Sequence, residues 1–227
     1  MSAAFLNLTE EETRRCKLYH LVVDGGGAVL MYRFDRDIPT PRTYLNDTTV
    51  KLELYQLQTK NIISKAQYEL LYPSTGAGVT SSKDYDMTLL VALHRTLLCA
   101  KKGDPIWHTG NKPAPTDFSV EAEIVRLRDF RNELMHSPKV GGLTEAQFET
   151  KWKEVSDVLS RFGSGMPGLQ EKLEILKNDC LDKRFEKELL LKLEEWTAMD
   201  KAFGDEMMKT LQSNSLSGKN CDYQKRT

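Results

Sequence analysis

No run of apolar residues in this chain approaches the roughly 18 needed to cross a bilayer, so a membrane span is not expected. The first residues carry neither the basic stretch nor the apolar core of a signal peptide. Net charge is nearly absent: 32 lysines and arginines against 33 acidic residues leave a formal charge of -1. That balance excludes a polycation gripping nucleic acid over its whole surface, and any RNA contact must come from a local patch or a site doubled in an oligomer. Cysteine is sparse. Cys16, Cys99, Cys180 and Cys221 lie far apart without a C-x-x-C pair, so zinc and redox motifs find no support, no metal is expected, and reduced thiols in a cytoplasmic setting are the expectation. A Gly-rich phosphate loop is also missing: the loop from Pro73 to Lys83 lacks the Gly-Lys-Ser/Thr ending and a preceding strand, and reads as a connector. No cofactor is called for.

What the chain does contain is helical periodicity punctuated by proline and glycine. Thr9 and Glu12 form a capping box that opens a helix carrying Cys16, Leu18, Leu21, Val22, Val29 and Met31, and Gly25 to Gly27 within it mark a break or a close helix crossing. Asn46 to Tyr72 reads as one helix or two. Asp86 to Leu98 is apolar enough to be central. A long loop follows from Lys101 to Phe118, in which Lys101, Lys102, Trp107, His108 and Lys112 interleave basic and aromatic groups as an RNA-contacting loop would. A surface loop with Trp107 tucked into the core fits the same residues. Thr144 caps a helix in which Phe148, Trp152, Val155, Leu159 and Phe162 follow a 4-3-4-3 spacing, stopped by Gly163. Pro167 starts a further helical stretch. From Phe185 the apolar positions Leu189, Leu193, Trp196, Phe203, Met207 and Leu211 continue to about Gln212, predicting a helix that packs on the domain or on a second copy of it. The tail from Ser213, rich in Ser, Asn, Gly and Lys, is expected to be disordered.

The most informative segment is Arg131-Asn132-Glu133-Leu134-Met135-His136, which runs into Ser137-Pro138. Taken as a helix from Ser119, it aligns Val120, Ile124, Leu127 and Leu134 on one apolar stripe, and Arg131 fills the gap before Leu134. An arginine on an apolar face costs several kcal/mol unless its fork is paired or faces an anion. Arg128, Arg131, Asn132 and His136 lie along one arc, with Asn132 and His136 as i, i+4 neighbours about 40° apart. His136 also occupies the last turn, where the helix dipole favours the imidazolium. The plainer readings are a C-terminal cation for His136 and a structural ion pair for Arg131, with Glu121, Glu123 or Asp86 as partner.

Several segments together resemble the HEPN superfamily, in its animal branch typified by the DAZ-interacting zinc-finger ubiquitin ligase. They are Ala66 to Pro73, Asp84 to Leu90, the proline-rich loop, and Glu123 to Glu133. The resemblance covers about residues 10 to 165, and none is seen beyond Phe162. It implies an all-α, up-and-down helical bundle over residues 8–165; the apolar pattern adds a C-terminal helical extension over 166–212 and the tail over 213–227. The resemblance also implies dimerisation through the Arg131–His136 helix. Catalytic members are metal-independent endoribonucleases with an arginine, four to six residues and a histidine, a pattern that Arg131 and His136 match, with Asn132 as the usual polar residue after the arginine. Members of this branch often have one more small residue before the histidine, and the shorter spacing here alters the angle at which His136 meets the seam.

Metal-free cleavage by a 2′-hydroxyl needs a base, an acid and a cation at phosphorus. Two copies of His136 across a dimer axis supply acid and base, while Arg131 from each clamps the phosphate and Asn132 orients the His136 ring. Arg128, Lys101, Lys102, Trp107, His108 and Lys112 are the expected single-stranded RNA contacts. The competing expectation is a non-catalytic dimerisation or RNA-binding scaffold in innate immune or ubiquitin-ligase-type signalling, with protein partners.

Overall fold

A computed structural model describes residues 8–38, 40–74, 81–99, 105–107, 111–136, 143–179 and 183–223. Among them there is no strand, and the fold is an all-α bundle. Its first helix, α1 (Glu10–His20), opens with the Thr9–Glu12 capping box, Thr9 Oγ1 accepting from the Glu12 amide and the Glu12 carboxylate accepting from the Thr9 amide. The chain then passes through a π-helical turn at Leu21–Gly25 directly into α2 (Gly26–Asp37), so the two helices form one continuous rod. The glycines therefore mark a crossing, not a break. A Cβ on Gly25 would lie 3.1 Å from Leu159 Cδ1, and one on Gly26 would lie 3.1 Å from Met87 Cε. Neighbouring side chains pack where a larger residue would stand.

The Asn46–Tyr72 stretch forms two helices. After the short α3 (Pro41–Leu45), α4 (Thr48–Thr59) begins at the Asp47 cap, and α5 (Lys65–Leu71) begins at a Ser64–Gln67 capping box. Between them Asn61 takes a left-handed conformation at φ 56, which turns the chain. Asp86 caps α6 (Met87–Leu93), whose residues are all buried, and this helix continues as a second π-helical turn at His94–Leu98. The long loop contributes a short 3₁₀ turn at Pro105–Trp107 before α7 (Val120–His136).

Next, α8 (Glu145–Phe162) follows the Thr144–Gln147 capping box and buries Phe148, Trp152, Val155, Val158, Leu159 and Phe162, the face its spacing predicts. Gly163 ends it. Helix α9 (Leu169–Asn178) covers the Leu21–Gly25 turn and α1. The last helix, α10 (Lys183–Tyr223), lies along α1, α6 and α7 and buries Leu189, Leu193, Trp196 and Met199. It is thus packed into the bundle, and it runs past Gln212, where the apolar pattern stops, to Tyr223. Among the described residues no helix is long and apolar enough to cross a membrane.

Candidate anion site

Helix α7 turns Ala122, Ile124, Val125 and Leu127 into the core, and the same face carries Arg131 at 2% exposure. A guanidinium so placed must find partners for its donors and company for its flat faces. Its Nη1 donates to Asp200 Oδ2 at 2.8 Å, and its Nε and Nη2 donate to Asn132 Oδ1 at 3.3 and 2.7 Å. Its plane lies over the Trp196 ring, 4.5 Å from the centroid. Burial lowers the Arg131 pKa, and the Asp200 carboxylate opposes that shift.

Asp200 holds a second arginine. Arg95, in the π-helical turn after α6, brings Nη1 to 3.5 Å from Asp200 Oδ1. Its guanidinium is sandwiched between Trp107, 4.5 Å from the ring centroid, and Phe203 at 4.2 Å. Burial pushes the Arg95 pKa down to about 10, against the pull of Asp200, and Arg128 adds a like charge that lowers it further. Arg128 is buried as well, donating to the Trp107 carbonyl at 3.0 Å and pairing with Asp129 at 3.5 Å. Arg95 and Arg128 thus meet the 3₁₀ turn at Trp107, and Arg95 and Arg131 share one carboxylate from α10.

The sequence singles out Arg131 as anomalous, and it is. Its partner is none of the three expected. Glu123 takes Arg161 at 2.9 Å and Arg126 at 3.2 Å, and Asp86 caps α6 while accepting from Gln67. The carboxylate hydrogen-bonded to Arg131 is that of Asp200. A signal for it exists. Asp200 directly follows the buried Met199 and stands four residues after Trp196 and three before Phe203, as Arg131 stands four after Leu127 and three before Leu134. Each helix thus sets a charged residue between apolar positions at matching offsets, of opposite sign, and the two meet.

The other expected residues fall out differently. Asn132, expected to orient a histidine, accepts from Arg131. Trp107 is buried against Arg95, so its ring packs inward and is no exposed platform for a base. Lys112 is exposed. Lys101, Lys102 and His108 lie outside the described residues, as does the side chain of His136, whose backbone closes α7. Among the described residues no cluster of His, Cys, Asp and Glu is arranged to hold a metal.

The chain matches the DZIP3/hRUL138-like HEPN family over residues 40–189. The match includes Arg131, Asn132 and His136, and it reaches beyond Phe162, through α9 and into the start of α10, further than the resemblance read from the sequence. The human E3 ubiquitin-protein ligase DZIP3 is 32% identical over 171 residues, covering 73% of this chain and 13% of that protein. Its mouse counterpart is 30% identical over 178 residues, with the same coverage. The chain therefore spans about one eighth of the relatives it matches. No solved structure matches it. By the extent of the family match, this chain belongs to the DZIP3/hRUL138-like HEPN family.

Proposed function

We propose that this chain is an RNA-directed HEPN module, with Arg131, Asn132 and His136 forming a metal-independent endoribonuclease site for single-stranded RNA. The observation that carries the reading is the pair of buried guanidiniums, Arg95 and Arg131, arranged around one carboxylate, 3.5 and 2.8 Å away. Such an arrangement binds an anion of one negative charge and two exposed oxygens, which is also the description of a phosphodiester. In the reaction the 2′-hydroxyl loses its proton as it attacks phosphorus. The 5′-oxygen of the next nucleotide leaves and takes up a proton, giving a 2′,3′-cyclic phosphate. His136 from two copies of the chain serves as base and acid, and Arg131 neutralises charge on the phosphoryl oxygens.

A second reading is favoured by the same geometry. Arg131 already has its donors on Asp200 and Asn132. A module that used Arg131 only to tie α7 to α10 would be a dimerisation or RNA-binding scaffold, in keeping with relatives in which the matched region is a small part of a ubiquitin ligase. Labelled single-stranded RNA in excess EDTA separates the two. The nuclease reading expects cyclic-phosphate ends from the wild type and none from folded His136→Ala. Identical traces from both proteins would leave the scaffold.

A further inference from the structure

Asp200 reaches its two arginines unequally. It lies 2.8 Å from Arg131, a good charge-assisted hydrogen bond, but 3.5 Å from Arg95, at the outer limit of one. A carboxylate fixed to a helix backbone cannot centre itself between two forks; a ligand with its own freedom can. Asp200 is also the most exposed member of the trio, its side chain 14% accessible against 2% for Arg131 and 8% for Arg95. Solvent reaches the anion before it reaches the cations.

The helix that delivers Asp200 is unevenly attached. Leu189 and Leu193 are fully enclosed and anchor its first part. Beyond Met199 no described side chain is fully buried: Ala202, Phe203 and Met207 pack against the core only in part, and the other ties include the Asp200 pairs, the Phe203 ring on Arg95 and the Lys60–Glu206 ion pair at 2.6 Å. Gly204 follows directly. A Cβ there would meet nothing within 4 Å, so packing does not require a glycine, and glycine in a helix interior favours the unfolded chain. The helix is weak beside the residue that fills the anion site, and the family match ends at residue 189, before this segment.

We propose that Arg95 and Arg131 form an anion site on the α6–α7 face that α10 fills with its own carboxylate, and that a phosphodiester binds there by displacing Asp200 together with the α10 segment around it. The site adds Arg95, a residue outside the Arg131–His136 motif, as a second phosphate-binding group. The inference rests on the proposed function only for the choice of RNA as the diester. The strap makes the resting protein a weak binder without any further component, because the competing carboxylate is always present at high effective concentration.

The test uses the 227-residue chain with a labelled single-stranded RNA, and a DNA of the same sequence, in EDTA at fixed salt, read by fluorescence anisotropy. Asp200→Asn is expected to bind the oligonucleotides at least tenfold more tightly than wild type, and adding Arg95→Met to it removes the gain. Gly204→Ala, which stiffens the strap without touching the site, is expected to bind about three- to fivefold more weakly. Its fold is not at risk, so the proposal stays testable even if Asp200→Asn is unstable. Folded Asp200→Asn with wild-type affinity, or Gly204→Ala with unchanged affinity, would overturn the proposal and leave Asp200 as a structural tie. Cleavage is scored separately: tighter binding without cyclic-phosphate ends keeps the anion site and removes the nuclease.

Discussion

His94 is enclosed between the Phe34 and Phe162 rings, with Nε2–H placed to donate to the Leu30 carbonyl at 2.8 Å. Its Nδ1 is buried without a partner. Burial disfavours the imidazolium and pushes the pKa down from 6.5 to about 4, outweighing the Leu30 bond. The unfolded chain therefore takes up a proton between pH 6.5 and 4 while the folded one does not, so stability is full above pH 6.5 and falls as the pH drops through that window. The loss amounts to about 3 kcal/mol. Urea midpoints measured from pH 7 to 4 should decline, with a shallower decline in His94→Gln; equal slopes would assign the acid sensitivity to other groups. Arg131 teaches a different lesson at this scale. Its charge on an apolar stripe is legible from α7 alone, but its partner lies 69 residues away in sequence, on another helix. Local periodicity says that a partner must exist, and tertiary packing decides which.

Among the elements, α8 was the most legible, because a capping box, a regular apolar spacing and a terminal glycine agree with one another. Gly163 does more than end it. With φ at -89 it needs no special conformation, yet a Cβ there would lie 2.9 Å from both the Leu159 carbonyl oxygen and Leu169 Cδ2. Gly163→Ala should therefore destabilise by about 1–3 kcal/mol through crowding, read as a lower melting temperature. An unchanged melt would mean that the start of α9 gives way without strain. The Lys101–Phe118 loop was ambiguous for a physical reason. Basic and aromatic residues side by side suit RNA, but they equally suit a tryptophan turned inward to stack on a buried arginine, as Trp107 does on Arg95. Sequence does not record which way a loop faces.

At the scale of the whole molecule, the helical class is legible in the periodicity, which also predicts that α10 packs on the domain or on a second copy of it without deciding between the two. The structure takes the first packing: Leu189, Leu193 and Trp196 belong to the same core cluster as Leu89, Ile124 and Leu159. Bundle and α10 should accordingly unfold together. Helix content by circular dichroism and tryptophan fluorescence are expected to give one coincident urea transition. Two separated transitions would make α10 an independent unit.

The π-helical turn at Leu21–Gly25 also has a consequence for how this gene can change length. A π turn holds one more residue than an α-helical turn, so it shifts the angular phase of everything after it by roughly 100°. The rod uses that shift: α1 faces α10, α7 and α8, whereas α2 faces α6 and α8. Losing one residue between Leu21 and Gly25 would restore a regular helix and rotate Val29, Leu30 and Phe34 out of the core they fill. Insertions and deletions in the loops shift nothing beyond themselves. In this rod the number of residues is itself information, held by a count and not by any side chain.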